Sequence, residues 1–170
     1  FALWWDYQIS FHDITFINAR AYYDAYGGGV ITNTGNQGSF NFYNCTFINN
    51  TARSDGGAVL GHGLARDCKF INNSAGGNGG AIHGLDAQYC EFINNHADGD
   101  GGAMYGGDAT RSNFHDNSAG GSAGAMCGGT ADQVRFINNH ADGNGGAFVG
   151  TEAQRSRFED NSANGDGGAS

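Results

Sequence analysis

From Asn44 to the C-terminus the apolar and polar positions recur in a unit of about 22 residues. Phenylalanine stands at Phe47, Phe70, Phe92, Phe114, Phe136 and Phe158, in steps of 23, 22, 22, 22 and 22. Eleven residues after each Phe comes the alanine of a Gly-Gly-Ala, at Ala58, Ala81, Ala103, Ala125, Ala147 and Ala169, with Ala123 alone replacing a first glycine. Two residues before each Phe lie Cys45, Cys68, Cys90, Ser112, Val134 and Ser156. The residue just before it is Thr46, Lys69, Glu91, Asn113, Arg135 or Arg157. This is period-two alternation, so the Phe and Cys/Ser/Val columns face inward and the charged column outward. Val59, Ile82, Met104, Met126 and Phe148, which follow Gly-Gly-Ala, form a second inward ladder.

A 22-residue unit with two glycine-rich turn zones leaves room for short strands and bends but not for helices. One unit cannot bury its own apolar face, whereas units stacked in register at about 4.8 Å make a continuous core. The expected fold is all-β, a parallel β-helix or β-solenoid. A leucine-rich repeat would need a Leu ladder, and the chain has only Leu3, Leu60, Leu64 and Leu85. The column Asn50, Asn73, Asn95, Asn117, Asn139 and Asn161 reads as a stack of amides satisfying backbone groups at a turn rather than as a ligand track. Two regions follow: 1–44, irregular and aromatic-rich with a loop insertion, and 45–170, the regular coils. In the first, Phe11 to Phe16 aligns with Phe42 to Phe47, but the step from Phe16 to Phe47 is 31 residues. Insertions in solenoids emerge on one side, often the binding side.

The 31 glycines come with no proline, which excludes a collagen pattern, and 12% aromatic residues argue against a disordered linker. A net charge of −9 with the single lysine Lys69 leaves no basic stripe, so nucleic acid and anionic membranes are excluded as expected partners. No apolar run is long enough to span a membrane. The chain opens on Phe1 and closes on Ala169-Ser170 inside a repeat, as a portion of a longer protein would.

Histidines His62, His83 and His115 fall in three different columns. His96 and His140 share one but sit two coils apart, too far for a shared metal and, by column, close to nothing else titratable. Asp55, Asn78, Asp100, Ser122, Asn144 and Asp166 share a turn column. Asp98 and Asp100 in Asp98-Gly99-Asp100-Gly101 have the local look of a calcium loop, without a downstream bidentate Glu. The reading set against calcium is that these side chains cap tight turns; no other cofactor is expected. Cys45, Cys68 and Cys90 stack in successive coils, close enough for one disulfide, though a parallel side-chain stack is poorly aimed for the disulfide torsion and packs well as free thiols. Sequons occur at Asn44, Asn49 and Asn72.

The strings FINNTARSDGGAV, FINNSAGGNGGAI and FINNHADGDGGAM resemble the FxxN and GGA[ILV] repeats of two groups. One is the polymorphic outer-membrane proteins of bacterial autotransporter type; the other is the adhesin-like surface proteins of methanogenic archaea. The resemblance implies a right-handed β-helix, extracellular at the cell surface, acting without catalysis as an adhesin or structural stalk. Its partners would be a glycan or protein on another cell, or further copies of itself laterally or end to end. The alternative is a carbohydrate-active enzyme of lyase or hydrolase type, with Asp6, Asp13 or Asp24 as acids. The expected contact surface comes from the residue after each Phe: Ile48, Ile71 and Ile93 lead an outward apolar stripe, unless the strand bends and tucks them into the core. Near its start the sequence places the aromatic group Trp4, Trp5, Tyr7, Tyr22, Tyr23 and Tyr26.

Overall fold

The computed structural model describes residues 7–22, 27–33 and 38–168. The chain winds into a parallel β-solenoid of three sheets, two built by one strand of every coil and the third by one or two. The seven-stranded Phe sheet stacks Thr15–Ile17, Thr46–Ile48, Lys69–Ile71, Glu91–Ile93, Asn113–His115, Arg135–Ile137 and Arg157–Glu159. The seven-stranded Ala sheet stacks Arg20–Ala21, Thr51–Ala52, Ser74–Ala75, His96–Ala97, Ser118–Ala119, His140–Ala141 and Ser162–Ala163. The third, long sheet has 11 strands and includes Gln8–His12, Ser39–Tyr43, Val59–Arg66 and Ile82–Gln88. Every pairing is parallel, and identical columns meet: Phe47 pairs with Phe70, Phe70 with Phe92, and Phe92 with Phe114.

Phe47, Phe70, Phe92, Phe114 and Phe136 are fully buried, as are Val59, Ile82, Met104 and Met126 opposite them. Successive Phe rings lie 4.5 to 5.2 Å apart from Phe16 to Phe158, nearly parallel. Strand spacing thus sets ring spacing, and the core is a continuous aromatic stack beside an aliphatic one.

Three left-handed corners turn the chain. The residue two after each Phe has φ of 54° to 58° and is Asn18, Asn49, Asn72, Asn94, Asp116, Asn138 or Asp160. Asn and Asp tolerate this region better than other side chains, which explains the first Asn of each Asn-Asn pair. The second Asn is buried and bonded along the stack. The Nδ2 of Asn73 donates to Oδ1 of Asn95 at 3.0 Å and to the carbonyl of Phe47 at 3.1 Å. The same pair of bonds recurs at Asn50, Asn95, Asn117 and Asn139. Ala19, where the first coil lacks its Asn, still donates its N–H to Oδ1 of Asn50.

The 23-residue coil holds one extra residue. Between His83 and Leu85 the long sheet shifts register against Val59–Arg66, forming a bulge around His62. The irregular 31-residue step is accommodated by two strands of one coil, Ile31–Thr32 and Ser39–Tyr43, which pair with the two ends of Val59–Arg66.

Candidate functional site

The isoleucine row lies on the Phe sheet. Ile17, Ile48, Ile71, Ile93, His115, Ile137 and Glu159 are cross-strand neighbours in one row. Ile17 is exposed at 56%, and Ile48, Ile71, Ile93 and Ile137 are half-buried. The αL Asn or Asp that follows ends the strand at once, so each Ile leans over a corner. None of them joins the buried core cluster.

Of the aromatic group, only Tyr7 and Tyr22 fall within the described residues. Trp4, Trp5, Tyr23 and Tyr26 lie outside the described residues, as do Asp6 and Asp24. Tyr7 precedes the first strand of the long sheet, with its ring 6.5 Å from Phe40. Tyr22 follows the first strand of the Ala sheet and its hydroxyl accepts a 3.4 Å bond from Arg20. Asp13 accepts a bond from Nδ2 of Asn44 at 2.6 Å. Among the described contact residues, Ile48, Ile71 and Ile93 form one row.

The turn column acts on its own backbone. Oδ1 of Asp55 accepts the N–H of Asn78 at 2.7 Å, Oδ1 of Asn78 that of Asp100 at 2.8 Å, and Oδ1 of Asp100 that of Ser122 at 2.6 Å. The column continues through Ser122, Asn144 and Asp166. Each side chain caps the next coil, which accounts for Asp, Asn and Ser at these positions. Among the described residues no three of His, Cys, Asp and Glu come together as a metal cluster.

Cys45, Cys68 and Cys90 are buried free thiols. The Sγ of Cys68 donates to the carbonyl of Arg66 at 3.2 Å and that of Cys90 to the carbonyl of Gln88 at 3.3 Å. Ser112 and Ser156 continue the pattern, donating to the carbonyls of Thr110 at 3.0 Å and Gln154 at 2.9 Å. Apart from Val134, the column is thus a row of small donors that bond back to the last carbonyl of the preceding strand, a role thiol and hydroxyl share. Burial pushes the Cys90 thiol well up, whereas the thiol of Cys68 is lowered by its bond with Cys90.

A shallow depression of about 220 Å³ lies on the long sheet where the bulge meets the glycine column, lined by Asn33, Leu60, His62, His83 and three glycines. His83 is mostly buried there, its ring 4.8 Å from that of Tyr105. Its Nδ1 lies 3.3 Å from Oδ2 of Asp55 but outside hydrogen-bond geometry, so the contact is electrostatic. Burial lowers the His83 pKa, with Asp55 opposing the shift and His62 adding to it.

His96 and His140 do have titratable neighbours, contrary to the expectation from columns alone. Nε2 of His96 lies 3.1 Å from Oδ1 of Asp98, and Nε2 of His140 lies 3.3 Å from Oδ1 of Asp142. Each Asp lies just past the two-residue strand that carries its His.

Four stretches, residues 44–62, 67–85, 89–106 and 133–151, match the repeat of the Chlamydia polymorphic membrane protein. They skip the coil in which His115 replaces Ile and Ala123 replaces Gly. No curated protein and no solved structure matches the chain.

Proposed function

We propose that this chain is a non-catalytic, surface-exposed segment of an outer-membrane protein, serving as an adhesin or stalk whose contact face is the Phe sheet. The observation that carries this reading is the in-register row of half-exposed isoleucines. A row of partly exposed isoleucines outside the buried core cluster is suited to use as a contact surface. Four matches to a membrane-protein repeat support the surface location, and the uniform columns support a spacer with a repeated face. Partners of this face are a protein or glycan on another cell, or a further copy of the chain.

The test is the triple change Ile48→Thr, Ile71→Thr and Ile93→Thr. The protein is presented on beads or cells, and binding to host-cell surfaces is measured beside its circular-dichroism melt. An unchanged melt with attachment reduced severalfold supports the proposal. Unchanged attachment moves the contact face elsewhere.

A further inference from the structure

Coils carrying His-Ala-Asp alternate with coils carrying Ser-Ala-Gly or Ser-Ala-Asn on the Ala sheet. The outward column reads Ser74, His96, Ser118, His140, Ser162, and the column beyond it Gly76, Asp98, Gly120, Asp142, Asn164. Two like stations therefore stand two coils apart, about 9.6 Å by strand spacing.

Each station is ordered for metal binding. Nδ1 of His96 bonds Oγ of Ser118 at 2.8 Å, and Nδ1 of His140 bonds Oγ of Ser162 at 2.9 Å. A hydroxyl partner on Nδ1 fixes the ring and turns Nε2 toward the carboxylate, the arrangement that orients a ligating imidazole. Asp142 is held in turn by Nδ2 of Asn164 at 2.9 Å. The Nε2 to Oδ1 gaps of 3.1 and 3.3 Å lie just under the edge of a tetrahedral zinc site, about 3.4 Å for bonds near 2.1 Å. The side chains are open to solvent, with Asp98 70% and Asp142 61% exposed. A zinc ion would take the place of the direct His–Asp contact.

We propose that His96 with Asp98, and His140 with Asp142, are two half-sites for a zinc-like divalent transition metal that joins two copies of this chain. Each supplies two ligands, and a closed structural zinc site takes four. No third His, Cys, Asp or Glu stands near either pair among the described residues. A second copy supplies the missing ligands by symmetry. With a twofold axis through the Ser118–Gly120 segment, the copies run antiparallel, and each His96–Asp98 pair faces a His140–Asp142 pair. Gly120 has no side chain, so the backbones between the two metals can approach. The net charge of −9 opposes pairing until the cations neutralise the four aspartates, so association depends on metal.

Sedimentation velocity on the chain in EDTA, in zinc sulfate and in calcium chloride tests this, with calorimetry for stoichiometry. The expected result is monomer in EDTA and calcium and dimer in zinc, with two zinc ions per dimer, reversed by EDTA. The double change His96→Ala, His140→Ala should lower zinc affinity at least tenfold and leave a monomer with an unaltered melt. Asp98→Asn with Asp142→Asn keeps the hydrogen-bonding shape and should weaken zinc in the same direction. A chain that stays monomeric in saturating zinc, that dimerises equally in EDTA, or whose double histidine variant still dimerises with zinc overturns the proposal.

Discussion

Oδ1 of Asn95 accepts both the backbone N–H of Asn73, at 2.9 Å, and its Nδ2, at 3.0 Å, across one step of the solenoid. One buried oxygen thereby fixes the register of two coils. Asn95→Ala leaves the Asn73 N–H without a partner and deprives the Phe70 carbonyl of its 3.0 Å bond. A buried donor left unmade costs about 1 to 3 kcal/mol, so the expected loss is about 3 kcal/mol in urea unfolding. A loss below about 1 kcal/mol would show that the amide row does not hold the register.

Ala123 occupies a glycine's place in backbone as well as in sequence. Its φ is 60°, while the equivalent Gly56, Gly79, Gly101, Gly145 and Gly167 have φ of 65° to 72°. A Cβ in the left-handed region costs about 1 to 2 kcal/mol. Glycine loses part of that advantage through the entropy of its unfolded chain. Ala123→Gly is therefore expected to raise stability by about 1 kcal/mol, read as an upward shift in melting temperature. A lower melting temperature would count against the corner assignment.

His83 ties stability to pH. Its folded pKa is held below the ordinary value of 6.5, chiefly by burial. Above that value neither state binds the proton. As pH falls below it, the unfolded chain protonates first, so stability falls until the lower folded pKa is passed. Urea midpoints at pH 7.5 and 5.5 should separate more in the parent than in His83→Gln. Parallel pH curves for the two proteins would remove His83 from the account.

The columns made most of the fold legible. An invariant Phe every 22 residues, a charge-tolerant neighbour and a fixed Asn left one arrangement consistent with burial, and the Phe, Cys and Val/Ile/Met ladders lie where alternation puts them. The sequence left the Ile row open between an outward stripe and a tucked corner, and the half-buried side chains fall between the two. That depends on the αL corner immediately after it, whose tilt no single residue encodes. The histidine pairs were legible in the two-residue spacing of His96 and Asp98, a relation within one coil that comparing histidines between coils does not contain. Spacing between Cα atoms left the thiols open between one disulfide and free packing, because it fixes neither side-chain rotamer nor hydrogen-bond partner; each bonds the last carbonyl of the preceding strand.

Phe92 and Ile93 are adjacent on one three-residue strand, and the account gives them opposite fates: Phe92 is fully buried and Ile93 half-exposed outside the core cluster. The most direct test is equilibrium unfolding of Phe92→Ala and Ile93→Thr beside the parent. The expected losses are about 3 to 5 kcal/mol for the first, by cavity formation, and below about 1 kcal/mol for the second. Equal losses, or a larger loss at Ile93, would show that the isoleucine row belongs to the core and that the Phe sheet presents no apolar face.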